Sequence, residues 1–317
     1  MQRRQFHRLL AASAAAASLA TPGWLRAQDT RLVLRAGDQK GGLKALLDAA
    51  GELDNLPYDI KWSEFPAAAP LAEALNANAI DFGIIGDAPL LFTLAAGSTA
   101  KAFAVSRSDA YGTAILVRPD SPFKSAKDLK GKSIATNRGS IGHYVTLKAL
   151  EAAGLGFGDA QIKFIPPADA KLALTRGSVD AWATWEPYTA IAETSQHARV
   201  LVNGRGLWSG LSYLAATGPA LREKRAALKD FKERVARAQA WSYKNSAAFG
   251  ESLAKIIGIP VEAARLQFER RALTWQDIDE KVIAEQQVTA DFYVKAGLIR
   301  QRLDVRRTFD LGLNSQG

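Results

Sequence analysis

Short apolar segments that run through a glycine-bearing loop into an amphipathic helix recur along this sequence, and no other feature narrows its fold as far. RLVLRAG (31–37) breaks at Asp38–Gly42 and gives way to LKALLDAAGEL (43–53). YDIKWSEF (58–65) alternates with the period of two that a half-buried strand requires, and PLAEALNANA (70–79) follows it. IDFGIIG (80–86) meets Asp87-Ala88-Pro89 and a helix at 89–96, and strands at 101–107 and 113–119 close the block. The pattern then restarts. KSIATN (132–137) passes through GSIG into HYVTLKALEAAG (143–154), QIKFIPP (161–167) into ADAKLALTRG (168–177), and VDAWATW (179–185) into Glu186-Pro187-Tyr188. Strands at 198–204 and 212–218 complete it, and from Pro219 the chain reads helical to about Lys295. Strands that alternate with helices form largely parallel α/β sheets. Two such blocks with a helical tail predict two α/β lobes, 30–115 with 216–317 and 116–213, joined by two crossover strands at about 113–118 and 212–217. Crossovers of this kind act as hinges. With 317 residues, 48% of them apolar, the chain can fill a core in each lobe.

The first residues read differently. MQRRQFHR carries a twin arginine, Arg3 and Arg4, ahead of the apolar run LLAASAAAASLA (9–20), which is too short and alanine-rich to span a bilayer. This is the charged and apolar layout of an export signal, 1–27, with cleavage expected after Ala27 although Leu25 stands where a small residue is preferred. The twin arginine with Phe6 fits the route taken by prefolded proteins. Arg3, Arg4, Arg8 and Arg26 fall in this segment and no acidic residue does, so the net charge of +9 becomes +5 without it. The remaining base lies in mixed-charge stretches such as 222–239, the pattern of a solvated helix face rather than a nucleic-acid groove; a mild positive bias still steers small anions. The sequence holds no cysteine, which removes disulfides, thiol nucleophiles and a lipidated cysteine.

In open α/β sheets ligands lie beyond the carboxyl ends of strands, where helix N-termini favour anions. Three junctions are of this type. In GDQKGG (37–42), Gln39 offers donor and acceptor, and Gly42 allows close backbone approach. In IIGDAP (84–89), Gly86 precedes Asp87, which has the chemistry of a helix cap. In TNRGSIGHY (136–144), Gly139 frees the loop, Ser140 presents a hydroxyl and an N–H, and His143 can donate to an anion. Each junction also has a purely structural reading as a cap. A fourth element, DAWATWEPY (180–188), brings Trp185, Glu186 and Tyr188 to a sheet edge. Trp182 reads as core, Trp185 and Tyr188 as walls for an apolar ligand tail, and Glu186 as acceptor either for a ligand amine or for a lobe-two backbone group. Enzyme signatures are missing: HExxH, CxxC, GxSxG and the GxxxxGK[ST] phosphate loop do not occur, and the histidines are His7, His143 and His197.

Taken in order, QKGG, WSEFPAAAPLAEALNANAIDFGIIGDAP, DLKGKSIATNRGSIGHY and VDAWATWEPY resemble the aliphatic sulfonate-binding proteins of ABC importers, relatives of taurine- and nitrate-binding proteins, over about Leu32 to Asp310. The resemblance implies a type II periplasmic binding protein fold and an exported, periplasmic, monomeric binding protein without cofactor. It would hold a small organic anion, a sulfonate, in a cleft and deliver it to an inner-membrane permease, with no role for nucleic acid. Carried over by motif, Gln39 and Gly42, Gly86 and Asp87, Gly139 and Ser140, and Trp185 and Glu186 belong to the ligand site. Arg107, in SRSDAYG, is placed to add a charge-assisted bond or to be solvated, and Tyr213 to face the cleft. Glu186 stands where sulfonate binders often carry Asp, which changes the room for the ligand's tail and admits aryl sulfonates and sulfate esters. Nitrate, taurine, bicarbonate or a thiamine-precursor pyrimidine are alternative ligands. A desulfinase or a pyrimidine-synthesising enzyme of similar fold relies on cysteine, which this sequence does not have.

Overall fold

Two sheets organise residues 31–315, the residues described by a computed structural model; the export segment expected at 1–27 lies outside them. The first block contains β1 (Val33–Gln39), α1 (Leu43–Ala49), β2 (Asp59–Phe65), α2 (Ala68–Asn76), β3 (Phe82–Gly86), α3 (Asp87–Ala95) and β4 (Lys101–Arg107). The second contains β5 (Ala114–Val117), β6 (Ser133–Thr136), α4 (Ile141–Ala152), β7 (Gln161–Phe164), α5 (Pro167–Thr175), β8 (Ala181–Thr184), α6 (Tyr188–Gln196) and β9 (Arg199–Asn203). The chain then returns through β10 (Leu211–Ala216) to α7 (Gly218–Glu223), α8 (Arg225–Lys244), α9 (Ser246–Ile257), α10 (Val261–Arg271), β11 (Thr274–Gln276) and α11 (Glu280–Lys295).

The first sheet has the order β11-β4-β10-β3-β1-β2 and the second β7-β6-β8-β5-β9. β1 pairs in parallel with β2 and β3, while β10 runs antiparallel between β3 and β4. In the second sheet β6 is parallel to β7 and β8, and β5 is antiparallel to β8 and β9. Along β5 the period of two sends Ala114 and Leu116 to one buried cluster, with Trp182, and Ile115 and Val117 to another, with Leu150. Both faces of the central strands β5 and β8 are therefore covered, which is why AILV and AWAT carry no charged residue, whereas edge strand β7 is largely exposed. Edge strand β2 instead alternates exposed and half-buried residues and carries Lys61 and Glu64, charges that discourage a further strand from adding there.

Two details differ from the sequence expectation. β5 and β10 each belong wholly to one sheet; the segments that pass between the sheets are 108–113 and 204–210, just before the strands expected to cross. They run side by side, joined by the Ser108 N–H to Gly210 carbonyl bond of 2.9 Å and the Asp109–Arg205 ion pair of 2.8 Å. The helical tail is also interrupted by β11, which pairs antiparallel with β4. Ala272 ends α10 in the left-handed conformation at φ 41° and turns the chain toward β4; a three-residue strand is too short to show a period.

Candidate functional site

The loops at the ends of β1, β3, β6 and β8 enclose, with both crossing segments and α10, a cavity of about 560 Å³. That volume suits a small organic molecule. Gln39 and Gly42 wall it from the β1–α1 loop, Gly86 from the start of α3, Gly139 and Ser140 from the start of α4, and Trp185, Glu186 and Tyr188 from the end of β8. Eight of the twelve residues singled out in the sequence thus meet at one place.

Local chemistry explains how these walls are held. A side chain at Gly42 would collide with the Asp38 carboxylate and stand 2.8 Å from the Gln39 carbonyl, so the loop closes only with glycine there. Asp38 is buried and accepts the amides of Gln39, Leu43 and Lys44 at 2.8–3.0 Å; burial outweighs these bonds and lifts its carboxyl to about 6. At α4, the Ser140 hydroxyl donates to the Asn137 carbonyl at 2.7 Å and accepts from the His143 amide at 3.2 Å, a helix cap that leaves other first-turn amides without intrahelical partners. Trp185 and Tyr188 meet edge to face at 6.0 Å and give the cavity an aromatic wall, while Trp182 lies in the core as expected.

Four expected site residues do not line the cavity. Asp87 is fully buried at the first position of α3, where Gly86 is the cap; its carboxylate accepts from the Ala88 amide at 2.6 Å and from the Trp208 indole at 2.7 Å. Burial pushes this carboxyl up to about 7. Its part is to hold Trp208, which does line the cavity. His143 accepts the Gly139 amide at Nδ1, 3.3 Å away, and burial, with help from Arg138, lowers its pKa to about 4. It is a neutral prop of the loop rather than a cationic donor. Arg107 is committed to Glu285 at 2.6 Å and to the Ser209 carbonyl at 2.9 Å. Tyr213 is buried in the core and donates to Gln286 at 3.0 Å; Gln286 in turn donates to the Asp87 carbonyl at 2.9 Å.

Glu186 proves to be an internal acceptor. It takes the Ala190 amide at 3.0 Å, the lobe-two backbone group anticipated, and also an ion pair with Arg270 of α10. Arg270 bridges onward to Glu193 at 2.6 Å, and Asp109 is likewise matched by Arg205. With those carboxylates neutralised, the remaining charged residues that line the cavity are Lys40, Arg138 and Arg271 against Glu64, an excess of positive charge. Asn137, Trp208, Gln267 and Arg271 went unread in the sequence. The paired arginines 270–271 were the one visible sign, and a helical pattern does not say which of two neighbours turns inward.

Residues 49–258 match the NMT1-like family. The chain belongs to that family. The chain is similar to the periplasmic aliphatic sulphonate-binding protein SsuA of Escherichia coli, at 34% identity and a TM-score of 0.80 over 88% of this chain and 97% of that one. The alkanesulfonate-binding SsuA of Xanthomonas axonopodis pv. citri, solved bound to MOPS, gives 30% identity and a TM-score of 0.82 over 88% and 98%. The expected two-lobed periplasmic binding protein fold is borne out by these structures. The desulfurization enzyme DszB shares the fold at 18% identity and a TM-score of 0.63, over 89% of this chain and 97% of that one. Among the described residues, no helix is long and apolar enough to cross a membrane.

Proposed function

We propose that this chain is the periplasmic solute-binding component of an ABC importer and captures an organosulfonate between its lobes. The observation that carries the reading is the cavity itself: an aromatic wall at Trp185 and Tyr188 faces capped helix starts and a surplus of cationic side chains, in a family whose members include sulfonate binders. A sulfonate needs charge-assisted donors at its head and apolar contact along its tail, and the site offers both. Elements from both sheets line the space, so a bound ligand bridges them, binds the closed arrangement best and shifts the population toward it. Capture without chemistry is supported by the absence of cysteine from the sequence and by the internal engagement of His143 and Glu186. The protein acts as an exported monomer that hands its ligand to a permease.

Titration calorimetry of the purified protein against taurine, alkanesulfonates, aryl sulfonates, an aryl sulfate ester, sulfate and nitrate tests the reading. The expected result is one-to-one binding of at least one organosulfonate and none of sulfate or nitrate. Binding of nitrate alone, or sulfite release from a sulfonate, would overturn it.

A further inference from the structure

α10 carries two arginines in succession with opposite fates. Arg270 is matched by two carboxylates, Glu186 and Glu193. Arg271 lines the cavity, and among the described residues no carboxylate or carbonyl accepts from its guanidinium. One turn earlier on the same helix, Gln267 also lines the cavity; it is 5% exposed, and its amide has no hydrogen-bond partner among the described residues. Residues four apart share a helix face. Two buried or half-buried polar side chains on one face, both bordering the cavity and both without protein partners, are groups whose bonds are completed by something else, since such groups are costly to leave unmatched.

The backbone around Arg271 is held firmly. Its carbonyl accepts the amide of Asp109, on the first crossing segment, at 2.7 Å, and the left-handed Ala272 follows it immediately. Burial lowers the pKa of the guanidinium; Glu186 acts on it in the opposite sense but is already bonded to Arg270. The group stays cationic, because arginine does not deprotonate in proteins.

Resting on the organosulfonate reading above, we propose that Gln267 and Arg271 seat the ligand's anionic head: the Arg271 guanidinium supplies the pairing charge and the Gln267 amide donates beside it. A sulfonate presents several oxygens and keeps its charge, which suits a fork of fixed donors. The site therefore selects the charged head rather than the tail, and an uncharged sulfonamide of the same shape is rejected because it leaves the guanidinium unmatched.

Calorimetry with two matched pairs, ethanesulfonate with ethanesulfonamide and benzenesulfonate with benzenesulfonamide, tests this on wild type, Arg271→Gln, Arg271→Lys and Gln267→Ala. Wild type is expected to bind at least one sulfonate far more tightly than its sulfonamide. Arg271→Gln is expected to lose about 30-fold or more in sulfonate affinity with little change for the sulfonamide, so that the preference collapses. Arg271→Lys keeps part of the preference, and Gln267→Ala loses roughly 5- to 10-fold. Ligand-free Arg271→Gln should melt close to wild type, because no hydrogen bond or ion pair of the guanidinium is lost and Glu186 keeps its bond to Arg270. An Arg271→Gln protein that keeps the wild-type preference, or that loses both ligands equally with a lower melting temperature, overturns the proposal. Wild type that binds neither of these sulfonates nor any other organosulfonate of the calorimetric panel overturns the functional reading itself, and the head-group assignment with it.

Discussion

Arg270→Met cuts the ionic bridge between α10 and the β8–α6 region, and its cost follows from how little water reaches the charges left behind. The Glu186 side chain is 5% exposed and that of Arg270 12%. At an effective dielectric of about 20, unit charges at the 2.6 Å separation of Arg270 and Glu193 attract by roughly 6 kcal/mol, a gain that desolvation partly cancels. Removing the cation while leaving a buried carboxylate costs about 3–5 kcal/mol, a large share of the roughly 5–15 kcal/mol that holds a typical fold. Burial already raises the Glu186 pKa above 4.5, against the pull of Arg270 and the Ala190 amide, so loss of Arg270 raises it further. The folded variant then holds a proton that the unfolded chain has released, over a window that opens near 4.5 and extends upward. Its stability falls as pH rises through that window. Denaturant unfolding at pH 4.5 and 7.5 should show a small difference from wild type at the lower pH and the full loss at the higher. Adding Glu186→Gln to the variant should recover most of it. An Arg270→Met protein within about 1 kcal/mol of wild type at pH 7.5, with no steeper pH dependence, refutes the reasoning.

Other outcomes can be checked alongside. Trp185→Ala removes half of the aromatic wall and should weaken aryl sulfonates by about 10- to 100-fold in calorimetry while leaving ethanesulfonate nearly unchanged. Asp87, raised from 3.8 to about 7 by burial, makes the wild type lose stability as pH rises across that interval, by up to about 4 kcal/mol. Asp87→Asn should be flatter over the same range in paired denaturant melts; parallel curves for the two proteins contradict the assignment. Ser140→Phe removes the α4 cap, at a cost of about 1 kcal/mol in unfolding experiments, and also fills the cavity, so sulfonate binding should be lost in a protein that still folds.

The alternation of strands and helices was legible because most strand ends meet a glycine or proline, as at Pro66, Gly86, Pro119, Pro187 and Gly204, and the period shifts where helices begin. The loops at Gln39–Gly42, Gly86, Gly139–Ser140 and Trp185–Tyr188 could be placed at a cavity for the same reason: strand order puts such ends together. Direction was not legible. Asp87 and Gly86 are neighbours, yet one points to a Trp208 that is 121 residues away and the other borders the cavity. Arg107 and Tyr213 have suitable chemistry for an anion site and sit on strands that reach it, but Glu285 and Gln286 of α11 claim them first. Gln267 has no local signature, and the pair Arg270-Arg271 shows only that a cation is near, since the packing of α10 against α6, α9 and the first crossing segment decides which face meets the cavity.

That packing also bears on how closure could be driven. The crossing segments are part of the site: Ser108, Asp109, Gly112 and Trp208 all border the cavity. Each is tied to a wall element from the other side, Trp208 to Asp87 at the start of α3, and the Asp109 amide to the carbonyl of Arg271. Gly112 lies so close to Glu186 that a side chain there would stand 2.5 Å from the carboxylate. A rotation about 108–113 and 204–210 therefore cannot leave the cavity unchanged, because the same atoms that bend also hold Trp208 and Arg271 in place. A ligand need only favour one arrangement of those two side chains to bias the hinge, and its differential affinity for the two arrangements sets the limit on how far closure can be shifted.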